Sequence, residues 1–213
     1  MAAPRSVEPR LRGGPGYRVL RFLVRGLLRA GWGLRVSGLD HLPPPPCVLA
    51  PAHSSEIDAV VLSAALPFRP TYLAARDLER FPVLFRVIRW FDPVFVRRGG
   101  LADIGSVRAC LARLERGDVL VIFPEGRVVQ SDGPGPFHPG AAFLAQRAAV
   151  PLVPVALIGL ERMWPLGARW PRPSRITVRI GSPLLPASGE DAEALTARLK
   201  NAIEALRESA TIG

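Results

Sequence analysis

Lysine is almost missing from this chain: Lys200 is the one lysine among 28 basic residues in 213. The remaining basic residues are arginines, and with abundant Ala, Gly and Pro the composition resembles the codon bias of a GC-rich genome. Cysteine is equally scarce. Cys47 and Cys110 lie inside apolar segments, which excludes a disulfide framework and leaves two reduced core thiols. The three histidines, His41, His53 and His138, are isolated from one another and from the cysteines, so no metal-ligand spacing is expected. No run of 18 uninterrupted apolar residues occurs, so no spanning helix is expected. Arginines interrupt every apolar run near the N-terminus and no clean cleavage site follows, so no cleavable leader is expected either. No internal repeat is present.

The chain is 48% apolar and 22% charged, which suits one globular domain with a full-sized core. Its net charge of +10 is unevenly placed. The first 50 residues carry eight arginines against Glu8 and Asp40. A basic end of this kind points to a phosphate-bearing partner, either nucleic acid or an anionic membrane. Residues 1–15, rich in Pro, Gly and Arg, are expected to be a disordered basic tail. Residues 16–33 then read as an amphipathic helix. Arg18, Arg21, Arg25 and Arg29 fall on one stripe, and Leu20, Leu23, Val24, Leu27 and Leu28 lie on the apolar remainder. That pattern fits a helix lying in a membrane interface, the alternative being a surface helix packed on the domain.

Residues 34–213 read as one α/β domain with a largely parallel, mixed sheet flanked by helices. Strands are expected at 34–39, 47–50, 70–75, 94–96, 118–123, 152–158 and 175–180, the last at a sheet edge. Helices are expected from Asp58, over 78–91, 101–116 and 141–149, and after a capping box formed by Ser188 and Asp191.

Three strand ends carry chemistry. The apolar run ending at Ala50 passes through His53 into a helix that starts near Asp58, which brings the carboxylate back toward the imidazole. The strand ending at Val96 runs into Arg97 and Arg98. The strand ending at Phe123 runs into Glu125, Gly126 and Arg127. A base beside guanidiniums suits acyl or phosphoryl transfer to a phosphate-bearing substrate. Each feature also has a structural reading: a helix-capping His, solvated arginines, a Glu in a structural ion pair.

Four ordered blocks resemble the glycerolipid acyltransferase family of the HxxxxD type, whose best-known members acylate 1-acylglycerol-3-phosphate. The resemblance covers residues 34 to about 160. His53-Ser-Ser-Glu-Ile-Asp58 is similar to the family's HxxxxD, and Phe95-Val96-Arg97-Arg98 to its second block. Phe123-Pro124-Glu125-Gly126 is similar to the third, and 150–156, with Pro154, to the fourth. Phe137-His138-Pro139-Gly140-Ala141 stands where the family often has a basic residue and Gly before a helix. The chain departs from the pattern at Arg127, where Thr is common, at Arg97 for Asp, at Asp92 for Gly and at Ala52 for Asn. These departures bear on the acceptor's identity, not on the reaction.

The resemblance implies a fatty acyltransferase. His53 would be the general base, oriented by Asp58. Arg98 and Arg127 would hold the acceptor phosphate, with Glu125, Gly126 and Pro154 also at the acceptor site. It implies no bound cofactor, with acyl-CoA or acyl-ACP as donor substrate. The acceptor would be a membrane lysolipid, in first place 1-acyl-sn-glycerol-3-phosphate, giving phosphatidic acid. The expected location is peripheral, on the cytoplasmic face of the membrane, held through the N-terminal helix, with no nucleic acid partner. The alternatives are a different lysolipid acceptor, such as lysophosphatidylethanolamine or a non-glycerol lysolipid, and a catalytically idle lipid-binding member of the fold.

Overall fold

The structure, a computed structural model, describes residues 13–52, 55, 57–75, 93–96, 103–126, 135–165 and 167–209. The basic tail up to residue 12, the expected helix at 78–91, His53, Arg97, Arg98 and Arg127 lie outside the described residues.

Among the described residues the strands are β1 (Arg35–Ser37), β2 (Cys47–Pro51), β3 (Thr71–Ala75), β4 (Val94–Val96), β5 (Val119–Val121), β6 (Leu152–Ile158) and β7 (Thr177–Ile180). They form a seven-stranded sheet in the order β1-β7-β6-β2-β5-β3-β4. Every neighbouring pair is parallel except β6 and β7. The mixed, largely parallel sheet is therefore the one expected.

The central strands are buried on both faces, as crossover helices require. Successive residues divide between two cores. Cys47 and Leu49 of β2 join Val119, Val121, Val153 and Val155 on one side. Val48 and Ala50 join Leu120, Ile122 and Leu152 on the other. The first core is closed by α1 (Pro15–Trp32), α2 (Asp58–Ala65) and the short α5 (Leu160–Met163). The second is closed by α3 (Ile104–Glu115), α4 (Gly140–Arg147) and α6 (Ala192–Glu208).

Three expectations need correction. First, β7 is not at the edge, because β1 lies outside it. Its alternating sequence arises from one half-open face: Val178 and Ile180 are buried, and Arg179 reaches the end of α6, donating to Leu206 O at 3.1 Å. Second, Ser188 does not begin the last helix. Asp191 is itself the N-cap, accepting from Ala194 N–H at 2.7 Å. Third, the apolar surface of α1 is divided. Leu28 and Tyr17 are buried and Val24 packs on the core, whereas Val19, Phe22, Leu23 and Leu27 are exposed. The helix starts with Pro15 in its first turn and ends in a Schellman arrangement, with Gly33 N–H on Arg29 O and Leu34 N–H on Leu28 O.

Candidate active site

The carboxyl ends of β6, β2, β5, β3 and β4 share one edge of the sheet, the edge where open α/β proteins place ligands. β2 leaves this edge through Ala52 and enters α2 at Asp58. The strand can run this far because all five of its residues are buried, and the polar residues that follow end the pattern.

Asp58 is fully buried at the first position of α2. Its Oδ2 accepts the Ser55 backbone N–H at 2.9 Å, and its own N–H donates to Ser55 O at 3.2 Å. The carboxylate is thus folded back over the connection from β2, away from solvent. A carboxylate near a helix N-terminus is favoured by the helix dipole. Ser55 does not cap α2, whose N-cap is Ile57 without a side-chain hydrogen bond. The Ser55 hydroxyl instead donates to Trp164 O at 3.0 Å, just past α5. Ser54 lies outside the described residues.

The first turn of α2 has a second tie. Tyr72 of β3 donates its hydroxyl to Ala59 O at 2.8 Å, and Ser63 lies 2.8 Å from the same phenol. A phenol has one proton, so Ser63 donates to Tyr72. Burial pushes the Tyr72 phenol up, with Tyr17 and Asp58 adding to the rise and Ser63 opposing it. Sequence reading missed Ser55, Ser63, Tyr72 and Trp164 in this role. Only the Ser55 spacing carried any signal, because the Trp164 contact spans 109 residues.

Beside β2, β5 ends in a turn over Phe123-Pro124-Glu125-Gly126, closed by Gly126 N–H on Phe123 O at 3.1 Å. Gly126 has φ +67°, a conformation that glycine adopts without steric cost. Glu125 is 4% exposed. His138 N–H holds the turn by donating to Pro124 O at 2.9 Å. On the other side of β2, Pro154 is buried and in register with Ala50. Asp58, Glu125, Gly126 and Pro154 therefore belong to three adjacent strands and their ends. The strand preceding Arg97 and Arg98, β4, is not next to β5, since β3 separates them. The three chemistry-bearing strand ends share an edge but are not consecutive in it. Among the described residues, no group of three His, Cys, Asp or Glu is arranged to hold a metal ion.

The Acyltransferase family model matches residues 33–158, the stretch from the end of α1 to the end of β6. The chain belongs to this family. Among curated acyltransferases, a probable 1-acyl-sn-glycerol-3-phosphate acyltransferase of Mycoplasma genitalium is 32% identical over 124 residues, 55% of this chain and 46% of that protein. The 1-acyl-sn-glycerol-3-phosphate acyltransferase of Pseudomonas aeruginosa is 30% identical over 169 residues, 78% of this chain and 64% of that protein. The alpha form from Bos taurus is 30% identical over 191 residues, 85% and 66% respectively. The chain thus spans less than two thirds of each of these three relatives. The crystal structure of the 1-acyl-sn-glycerophosphate (LPA) acyltransferase PlsC from Thermotoga maritima superposes with a TM-score of 0.79. At 19% identity it covers 92% of this chain and 79% of that one, so the two chains share a fold.

Proposed function

We propose that this acyltransferase moves a fatty acyl group from an acyl-CoA or acyl-ACP thioester to the hydroxyl of 1-acyl-sn-glycerol-3-phosphate, giving phosphatidic acid. The observation that carries the reading is the buried Asp58 carboxylate, folded back over the connection that holds His53, beside the turn of Glu125 and Gly126. The names of the relatives support the acceptor class.

In this reading His53 takes the proton of the acceptor hydroxyl while the oxygen attacks the thioester carbonyl carbon. The C–S bond breaks, and the proton passes from the imidazolium to the departing thiolate. Proton transfer of this kind contributes about 10²–10⁴-fold. Asp58 orients the imidazole and stabilises its charged form. Arg98 and Arg127 hold the acceptor phosphate, each charge-assisted hydrogen bond contributing about 1.5–3 kcal/mol. Glu125 accepts an acceptor hydroxyl or positions an arginine, and Gly126 and Pro154 shape the same wall. No resident cofactor is invoked.

The acceptor is dissolved in a bilayer, and α1 supports a peripheral position on its cytoplasmic face, where thioester donors are made. Among the described residues no helix is long and apolar enough to cross a membrane. Phe22, at 76% exposure, Leu23 and Leu27 form an uncovered apolar stripe on α1. Burial, with Arg29 and Arg21 close by, lowers the pKa of Arg25, a cost that an anionic headgroup would relieve.

The test is acyl transfer by the purified chain, with a panel of lysolipids and both donor types, read by product mass. Phosphatidic acid as the main product is expected. A different acylated lysolipid would replace the acceptor, and no thioester consumption with any acceptor would leave an idle lipid-binding protein.

A further inference from the structure

β6 and β7 are antiparallel neighbours, which two to five residues suffice to join. Here the connection runs from Ile158 to Thr177. Its second half, residues 167–175, contains Arg169, Trp170, Arg172 and Arg175 and no carboxylate. Trp170 is 78% exposed, the most exposed large apolar side chain among the described residues.

The segment is fixed to the domain. Arg172 N–H donates to Met163 O at 2.7 Å, Ser174 Oγ donates to Gly159 O at 3.1 Å, and Ile176 N–H donates to Trp32 O at 3.2 Å. The Trp32 indole donates to Arg172 O at 2.9 Å, so the segment is joined to the last turn of α1. It also leaves from the carboxyl end of β6, on the edge where β2 runs toward Asp58. Its exposed indole is therefore held in place by a hydrogen-bonded backbone, with two prolines stiffening the chain around it.

Arginine and tryptophan side by side, with no acid between them, suit a surface that is anionic outside and apolar beneath. Among the described residues, Arg169, Arg172 and Arg175 enter no ion pair. A polyanion such as RNA would satisfy the arginines, but the adjoining helix exposes Phe22, Leu23 and Leu27, which RNA does not accommodate. A bilayer interface takes both, since indoles concentrate at the headgroup level and arginines pair with lipid phosphates. We propose that residues 167–175 form a second membrane contact, with Trp170 among the headgroups of an anionic bilayer and Arg169, Arg172 and Arg175 on its phosphates. This extends the membrane position proposed for α1 and rests on it.

The test uses the full chain and vesicles of mixed phosphatidylglycerol and phosphatidylcholine, read by co-sedimentation at low and high salt. Trp170→Ala should weaken binding roughly tenfold at both salt concentrations. The triple variant Arg169→Gln/Arg172→Gln/Arg175→Gln should weaken it on the order of a hundredfold at low salt and flatten the salt dependence. Quenching of indole emission by brominated lipid should drop in Trp170→Phe. Turnover of a short-chain acceptor in free solution should be unchanged in all three variants. Binding and quenching equal to the parent chain overturn the proposal while leaving α1 as the anchor. Loss of turnover on the soluble acceptor overturns it too, since the segment would then act through the active site. So does tighter binding of a short RNA than of vesicles, abolished by the triple variant. Failure of the parent chain itself to bind vesicles removes the membrane reading altogether.

Discussion

The backbone N–H of Ser55 lies 2.9 Å from Oδ2 of Asp58, three residues ahead of it and on the near side of the helix start. That carboxylate oxygen ties the start of α2 to the connection from β2, the stretch that carries the proposed base. His53→Ala and Asp58→Ala should each lower turnover by about 10²–10⁴-fold with the fold retained. The double variant should be little worse than either single one, the result expected of a proposed base and orienting carboxylate that act as a unit. Near-normal turnover in His53→Ala, with circular dichroism unchanged, would refute the proposed base.

The acceptor test separates the two arginines. Arg98→Ala should raise the KM for a phosphate-bearing lysolipid about tenfold or more and leave the donor KM close to the parent value. Arg127→Thr restores the residue common in the family and should change the ranking of acceptors. An unaltered ranking would show that this arginine has no part in acceptor choice.

The Tyr72 hydroxyl joins β3 to the first turn of α2 through Ala59 O, and Ser63 donates to it. Tyr72→Phe leaves the Ser63 hydroxyl without that acceptor in a buried site and should cost about 1–3 kcal/mol. Urea denaturation would measure it. A midpoint equal to that of the parent chain would show that the pair is energetically neutral.

Exposed leucines on α1 offer a cleaner membrane test than removing the helix. Leu28 and Tyr17 are part of the buried interior, so a chain starting at Gly33 would open the core. Leu23→Ser/Leu27→Ser touches only exposed positions. This variant should bind vesicles more weakly at every salt concentration, with thermal stability within about 0.5 kcal/mol of the parent. Undiminished vesicle binding would mean that the stripe does not enter the lipid.

Burial pushes the Cys47 thiol up to about 12 and the Cys110 thiol up to about 11, from an ordinary 9.0. Unfolded thiols lose their protons near pH 9, whereas the folded ones keep them until pH 11–12. The folded state then holds more protons in that window, so the thiols' contribution to stability is constant below pH 9 and is lost as pH rises through it. The buried Tyr17 and Tyr72 phenols, raised from 10.0, act in the same direction. Urea midpoints measured at pH 8 and pH 10.5 should decline, and Cys47→Ala/Cys110→Ala should decline less. A constant midpoint would contradict the burial of these groups.

How far the sequence could be read depended on the range of the interactions. β2, β5 and β6 were legible because each is an apolar run buried on both faces. Asp58 and Gly126 were legible because a helix start and a tight turn are local events. The lateral order of strands is set by crossovers, so neither the place of β3 between β5 and β4 nor the interior position of β7 could be seen in local patterns. The same holds for the division of α1. A helical stripe shows which residues are apolar, but not which of them another helix covers. The start of α6 was misread because Ser188 and Asp191 are both good caps, and the choice between them is made by the Ala194 N–H.

Pro154 accepts the Gly181 N–H on its carbonyl at 2.9 Å. A Cβ at Gly181 would meet the Pro154 ring at 2.9 Å and Leu206 at 3.0 Å. The two positions are therefore not independently mutable. A side chain at 181 becomes admissible only once the ring at 154 has gone and the end of Leu206 has shifted by a few tenths of an ångström, and replacing the ring alone leaves a void that nothing at 181 fills. Attempts to repack this contact between β6, the end of β7 and α6 will consequently show strong epistasis: single changes at either position should score as losses, while a matched pair opens a route that single-residue scanning would never find.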